Sequence, residues 1–217
     1  IGVEIMLLPY KDVNPTRHFP FITLLLIAGN IAIFVYQVFG PYGFETISSQ
    51  FALIPYELHH GNLRESNWIN PYLSLVTYMF MHAGPGHLIF NMLFLWIFGN
   101  NIEDRMSWIG FLVFYLLTGI ISGLSFEAIY PGSEAHLVGA SGAISAILGA
   151  YLLLYPTARV HALFFIFPIR MPALVFLIIW FITQISGFLG QADSVAWISH
   201  ISGFVSGIIL YRLFLRH

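Results

Sequence analysis

The sequence has no cysteine and very little charge. Among its 217 residues Cys is 0, and Asp, Glu, Lys and Arg together make up 8%. Without cysteine, a disulfide framework, a thiol nucleophile and a cysteine-ligated metal are all excluded. A soluble domain carries roughly 25% charged residues, so this composition excludes a soluble globular fold. The formal net charge of −2 offers no basic surface for nucleic acid.

Apolar residues dominate what is present, at 58% of the chain. A helix that crosses a bilayer needs about 20 mostly apolar residues, and the sequence contains such segments in series. They predict an all-α, polytopic membrane protein with six transmembrane helices, in a single domain over residues 1–217. The predicted spans are residues 22–39, 84–100, 108–130, 137–155, 171–190 and 195–215.

The distribution of Lys and Arg predicts the orientation of these spans, because cytoplasmic loops are enriched in both. Residues 1–20 carry basic residues and no small-residue cleavage site, so we expect a cytoplasmic segment without a signal peptide. Residues 40–83 form a long outer first loop, in which the short apolar run 72–81 is interfacial or partly inserted. Arg64 alone falls outside; the inner segments hold Lys11, Arg17, Arg105, Arg159, Arg170, Arg212 and Arg216. Both termini are therefore expected in the cytoplasm.

Four polar residues near the outer ends of the predicted spans are candidates for function, because such groups are costly inside a membrane. Ser141 opens span four, His87 and Asn91 lie in span two, and His200 lies in span six. These three spans all run from outside to inside. At 1.5 Å per residue, Ser141, His87 and His200 lie on the order of 5–8 Å below the outer end, with Asn91 about one turn deeper. A shared depth predicts that the four side chains meet.

The residue types at this depth suit acyl-transfer chemistry. A serine hydroxyl needs a base to act as a nucleophile, and His200 can supply one. His87 and Asn91 are four residues apart on one helix face and can donate hydrogen bonds to an oxyanion, as can backbone N–H groups at the start of span four. Small residues repeat every four positions on spans four and six and predict close helix packing: Gly142, Ala146 and Ala150, and Ser199, Gly203 and Gly207.

Three motifs in order give the chain a family resemblance. They are His87-x-x-x-Asn91, Gly139-Ala140-Ser141-Gly142 and His200-x-x-Gly203-x-x-x-Gly207. With the six-span layout and the long first loop, the sequence resembles the rhomboid family of intramembrane serine proteases over nearly its whole length.

The resemblance implies a serine endopeptidase without a cofactor or a metal, located in a cell inner membrane. Ser141 would be the nucleophile and His200 the general base, with no carboxylate. His87, Asn91 and the backbone N–H of Ser141 would form the oxyanion hole. Its substrates would be transmembrane proteins in the lipid bilayer, cut near the outer face, where the active site opens to the periplasmic or extracellular side. Span five and the loop 191–194 would act as the substrate gate.

Two positions depart from the family pattern. Many relatives carry an aromatic residue four positions after the serine, stacked on the histidine, and here that residue is Ser145. What orients His200 is therefore open. Many also have a Trp-Arg pair in the first loop, where this chain has Ser74 and its neighbours. We expect the first loop to be anchored in another way.

Simpler readings exist for several of these residues. Ser141 could be a helix N-cap, and His87 and Asn91 could hydrogen-bond between helices. Asp193 could complete a triad with His200. Gln184 in span five is expected to hydrogen-bond between helices. His82 and the pair His59-His60 are read as interfacial, because no ligand spacing typical of a metal site accompanies them. Glu127, near the outer end of span three, is expected to meet water or headgroups rather than substrate.

Two other functions compete with proteolysis. A catalytically silent relative could bind and escort membrane proteins, although such relatives usually lose the serine or the histidine. A transporter or channel would favour a midplane site and internal repeats. The sequence has no such repeat, and its polar residues lie off the midplane. The oligomeric state is left open.

Overall fold

The computed structural model describes residues 7–61, 68–190 and 196–216, and these are mostly helical. Short 3₁₀ turns cover Pro71–Leu73, Tyr78–Phe80 and Tyr211–Phe214, and a π turn covers Leu95–Gly99. The helices are α1 (Phe21–Phe39), α2 (Phe44–Phe51), α3 (Pro55–His60), α4 (Ser74–Thr77), α5 (Pro85–Phe94), α6 (Asn100–Arg105), α7 (Trp108–Ile129), α8 (Ser141–Leu154), α9 (Ala173–Leu189) and α10 (Trp197–Leu210).

Within the described residues, 3 helices are long and apolar enough to cross a membrane: Phe21–Phe39, Trp108–Ile129 and Trp197–Phe214. The helices Ser141–Leu154 and Ala173–Leu189 are apolar but shorter. The chain is thus membrane-embedded, while the count of six spans and the long outer loop stay predictions. Span four starts at Ser141 rather than 137, because Leu137 forms an isolated β-bridge with Leu53 instead of joining the helix.

A small antiparallel sheet corrects the expectation of an all-α fold. Its strands are β1 (Leu7–Val13), β2 (Arg159–Phe164) and β3 (Phe167–Pro172), in the order β1-β2-β3. Part of the predicted cytoplasmic N-terminal segment is therefore β1, which pairs with β2, just after α8. Strand β2 alternates, with Val160 and Ala162 fully buried between more exposed neighbours. A two-residue period over so short a run escapes a search for 20-residue apolar segments.

Asp12 ties this sheet to the helices. Its carboxylate accepts a hydrogen bond from Asn101 Nδ2 at 2.9 Å and another from the Tyr151 hydroxyl at 2.7 Å. Burial raises the pKa of Asp12 above its ordinary value. Strand β1 is thereby fixed to α6 and α8.

Glu103 caps the N-terminus of α1 from a distant part of the chain. The N-cap residue Pro20 offers no side-chain hydrogen bond. Instead the buried carboxylate of Glu103 accepts the N–H groups of Ile22 and Thr23, each at 2.8 Å, and the Thr23 hydroxyl at 2.7 Å. This satisfies backbone donors that a helix start leaves open and sets a negative charge at the positive helix end.

The backbones of α8 and α10 are in direct contact. A Cβ atom built on Gly203 would collide with the carbonyl oxygen of Gly142, and one on Gly207 would collide with that of Ala146. The small-residue pattern in the sequence is thus confirmed at these positions. No larger side chain fits between these two helices without moving one of them.

The predicted first loop contacts α7 through Tyr78 and Met79, so it is anchored in another way than by a Trp-Arg pair, as expected. The Tyr78 hydroxyl donates to the carbonyl of Gly119 at 2.7 Å, and Met79 is fully buried with its sulfur against Gly119. The apolar run 72–81 is therefore packed into the bundle at Tyr78 and Met79, in line with partial insertion.

We predict that Glu103→Ala destabilises the fold by about 2–4 kcal/mol, because it leaves three donors at the start of α1 without an acceptor. The measurement is reversible unfolding in detergent micelles. Glu45→Ala, which removes an exposed carboxylate in the first turn of α2, is the matched control and should change stability by less than about 0.5 kcal/mol. Equal effects for both variants would contradict the capping role.

Candidate active site

Ser141 and His200 are joined by a hydrogen bond. The distance between Ser141 Oγ and His200 Nε2 is 2.7 Å. Ser141 is the first residue of α8, and His200 is in the first turn of α10. The helix contact at Gly142 and Gly203 sets this approach, since each glycine lies within three residues of one of the two side chains. The predicted meeting of Ser141 with His200 is confirmed as a contact.

A glycine turn fixes the backbone just before Ser141. Gly139 has φ +123°, a conformation that favours glycine. Its N–H donates to the carbonyl of Tyr78 at 2.9 Å, so the first loop holds the turn. A Cβ at Gly139 would stand 2.6 Å from Cε1 of His87 and 2.9 Å from its Nε2. The His87 ring therefore packs edge-on against the turn that leads into Ser141.

His87 and Asn91 present donors near this turn. The N–H of Ala83 donates to His87 Nδ1 at 3.3 Å, so in the neutral ring the proton is on Nε2, the atom that faces Gly139. Asn91 is buried, and its Nδ2 has no hydrogen-bond partner within the described part of the chain. The backbone N–H of Ser141 has no intrahelical acceptor, since it is the first residue of α8.

One cleft of about 860 Å³ contains all four of these side chains. Its walls are apolar, with Phe90 and Phe94 from α5 facing Phe176 and Ile179 from α9. The cleft extends from the loop before α8 to the sheet, where Leu7, Phe164, Ile169 and Met171 line it. His87, Ser141 and His200 lie in the first turns of α5, α8 and α10, and Asn91 lies one turn further along α5. The four side chains therefore line one cleft, as predicted, while their depth in the membrane stays a prediction.

The structure also shows what contacts the other nitrogen of His200. Gln184 on α9 is fully buried, and its Oε1 is 2.8 Å from His200 Nδ1. The expected interhelical hydrogen bond of Gln184 is thus confirmed, but the sequence did not reveal its partner. The signal in the sequence that could have indicated this role is the single amide side chain, Gln184, in a mostly apolar span.

Two simpler readings are wrong in the structure, and a third is left untested. The N-cap of α8 is Ala140, and the Ser141 hydroxyl contacts His200 instead of capping the helix. His82 is fully buried, not interfacial: Gln37 binds its backbone N–H and carbonyl, while both its ring nitrogens lack partners in the described chain. Glu127 is partly exposed, with His59 Nδ1 2.7 Å from its carboxylate, and its interfacial position stays a prediction.

The sequence offered candidate metal ligands and Asp193 as a possible third catalytic residue. Among the described residues no group of three or more His, Cys, Asp or Glu side chains could hold a metal ion. Asp193, the candidate third member of a triad, and the gate loop 191–194 lie outside the described residues, as does Arg64.

Comparison with known proteins identifies the family of this chain. The Rhomboid domain family model matches residues 70–217. This chain belongs to the rhomboid family. It is 27% identical over 152 residues to Rhomboid protein 1, mitochondrial, of Saccharomyces cerevisiae, covering 68% of this chain and 43% of that protein. It is 26% identical over 161 residues to Rhomboid protease GlpG of Yersinia pseudotuberculosis, covering 69% of this chain and 54% of that protein.

A plant relative covers more of the chain. RHOMBOID-like protein 1 of Arabidopsis thaliana is 27% identical over 218 residues, which is 91% of this chain and 54% of that protein. This rhomboid-family chain spans about half the length of the curated relatives it matches. The match covers the helices that carry Ser141 and His200, because both lie within residues 70–217.

We predict that Gly203→Ala separates α10 from α8 and lowers the rate at which a fluorophosphonate labels Ser141 by about 10²-fold, since a shift near 1 Å can cost that much. Gly29→Ala is the matched control, because a Cβ at Gly29 has nothing within 4 Å. Labelling is followed by gel fluorescence against time. An unchanged rate in Gly203→Ala would mean that the glycine contact does not set the Ser141–His200 distance.

Proposed function

We propose that this rhomboid-family chain is an intramembrane serine endopeptidase that cuts transmembrane proteins near the outer face of the membrane. The observation that carries the proposal is the 2.7 Å contact between Ser141 Oγ and His200 Nε2. A serine hydroxyl hydrogen-bonded to an imidazole in the wall of a cleft is the arrangement that nucleophilic catalysis requires.

Ser141 acts as the nucleophile and His200 as the general base. Oγ of Ser141 attacks the scissile carbonyl carbon while its proton passes to Nε2 of His200. The tetrahedral intermediate then collapses, the C–N bond breaks, and His200 returns the proton to the leaving amine. A water molecule, deprotonated by the same nitrogen, hydrolyses the acyl-enzyme and restores the Ser141 hydroxyl.

The oxyanion is stabilised by donors from two elements. The backbone N–H of Ser141 lies at the positive end of α8. His87 Nε2 and Asn91 Nδ2 come from α5. Asn91 Nδ2 has no hydrogen-bond partner among the described residues, which supports a role in binding a group that arrives with the substrate. Such donors act most strongly in a site that excludes bulk water.

The apolar walls of the cleft suit an apolar substrate segment. Phe90, Phe94, Phe176 and Ile179 offer side chains that an extended or helical membrane segment can contact. We place both termini in the cytoplasm, following the Lys and Arg distribution, and count six spans in the inner membrane. The beginnings of α5, α8 and α10 then face the outer side, where the site opens to water.

We predict that the parent protein in liposomes cleaves a single-span model substrate with alanine near its outer end, and that Ser141→Ala and His200→Ala both abolish cleavage. Each removes one partner of the proton transfer. The assay separates products by gel and locates the cut by mass spectrometry. Ser125→Ala is the matched control, because its hydroxyl donates to the carbonyl of Ile121 on its own helix and Ser125 does not line the cleft. Cleavage that survives Ser141→Ala would contradict the assignment.

We predict that His87→Ala and Asn91→Ala each lower kcat by about 10²–10³-fold, the usual effect of removing one oxyanion donor. The Michaelis constant should change much less, because the donors act on charge that develops in the transition state. Steady-state kinetics with a fluorogenic substrate measures both constants. A rise in the Michaelis constant with kcat unchanged would instead mean that these residues bind the substrate.

A further inference from the structure

His200 has a second partner that the proposed chemistry does not use. Its Nδ1 is 2.8 Å from Oε1 of Gln184, a fully buried residue of α9. Both ring nitrogens of His200 are thus occupied, one by the nucleophile Ser141 and one by an amide from a different helix. Gln184 itself is not among the described residues that line the cleft.

The surroundings of the Gln184 amide determine which of its ends faces the histidine. Its Nε2 is 3.2 Å from the carbonyl oxygen of Trp180 and 3.1 Å from the Thr183 hydroxyl. A carbonyl oxygen only accepts hydrogen bonds, so the amide NH₂ must lie on that side. The atom that faces His200 is therefore the amide oxygen, which is an acceptor.

This orientation fixes the proton on His200. Because Oε1 of Gln184 can only accept, Nδ1 of the neutral imidazole must carry the hydrogen, and Nε2 is left with a lone pair. That lone pair points at Ser141 Oγ, which is the direction a general base requires. In the other tautomer Nε2 would carry a proton and could not accept one from the serine.

An uncharged acceptor suits this position. In soluble serine proteases a buried aspartate holds the histidine in the correct tautomer, but an ionised carboxylate inside a membrane bundle has a large desolvation cost. An amide oxygen supplies the same directional contact without a charge. A neutral amide is also the third member of the Cys-His-Asn triad in papain-like proteases.

Other described side chains around His200 do not take this place. Ser145, at the position where many relatives have an aromatic residue, donates its hydroxyl to the carbonyl of Ser141 at 2.6 Å. The rings of Trp180 and Trp197 are 6.3 and 6.4 Å from the imidazole, centroid to centroid, and pack around it. They limit its movement, but neither indole distinguishes one tautomer from the other.

We propose that Gln184 is the positioning residue of the site: its amide oxygen holds His200 in the Nδ1–H tautomer and aims Nε2 at Ser141. The expected effect of Gln184 on kcat rests on the proposed proteolytic function. The tautomer of His200 does not depend on that function, because it is a property of the resting protein. It also links α9, the helix that forms one wall of the cleft, directly to the base.

The kinetic test compares Gln184→Met with Gln184→Glu. Met has a similar length but no strong acceptor, so we expect kcat to fall by about 10²-fold, within the range of general-base catalysis, with an unchanged Michaelis constant. Glu keeps an acceptor oxygen, so at its own pH optimum it should recover most of kcat. Its acid limb should move to higher pH, because a nearby carboxylate favours the imidazolium.

A purely structural role for Gln184 predicts the opposite ranking, because a buried carboxylate disturbs an apolar helix more than Met does. Asn30→Leu is the matched control: it removes a buried amide whose NH₂ bonds Leu26 on its own helix, and kcat should not change. Kinetics in which Met is equal to the parent, or in which Glu is worse than Met, would overturn the proposal.

The direct test is ¹⁵N NMR of ring-labelled histidine, with the His200 signals assigned through His200→Ala. In the parent at a pH where the ring is neutral, we expect the proton on Nδ1, and in Gln184→Met a shift towards the Nε2–H form. A parent ring protonated on Nε2 would overturn the proposal even if the protein cleaves its substrate. Conversely, a protein that shows the Nδ1–H form but cleaves nothing would contradict the proposed function alone.

Discussion

The backbone contact between α8 and α10 is the constraint on which the rest of the site depends. Gly203 and Gly207 lie against the carbonyl oxygens of Gly142 and Ala146, with no space for a Cβ. Lipid gives apolar helices little reason to associate, so close packing of small residues must supply the attraction. Because Ser141 begins α8 one residue before Gly142, the same contact that holds the bundle together brings the serine to His200.

Several buried or half-buried polar side chains form hydrogen bonds with residues of other helices or strands. Glu103 caps α1, Asp12 joins the sheet to two helices, and Gln184 binds His200 from α9. In a low-dielectric interior each such bond is strong when made and costly when missing. These side chains therefore fix the relative positions of elements that apolar packing alone would leave free to slide.

The sequence predicted the parts of the site that lie on regular helices. The contact between Ser141 and His200 was expected because both residues stand near the beginning of a predicted span, and helix rise is a property of the chain itself. The sheet escaped because short strands carry no signal on the scale of a membrane span, and β1 finds its partner only in three dimensions. The partner of Gln184 escaped because rotation of α9 cannot be read from an almost uniformly apolar helix. His82 was misread since a histidine beside a loop gives no sign that it is buried.

The central claim is that His200 activates Ser141 inside a membrane-embedded bundle. The most direct measurement is the mass of the intact protein after treatment with a fluorophosphonate in detergent, followed by peptide mapping of the adduct. We predict one adduct per chain, on Ser141, and none in His200→Ala that retains the parent's unfolding midpoint. An adduct on another residue, equal labelling of folded His200→Ala, or no labelling of the parent would contradict the account.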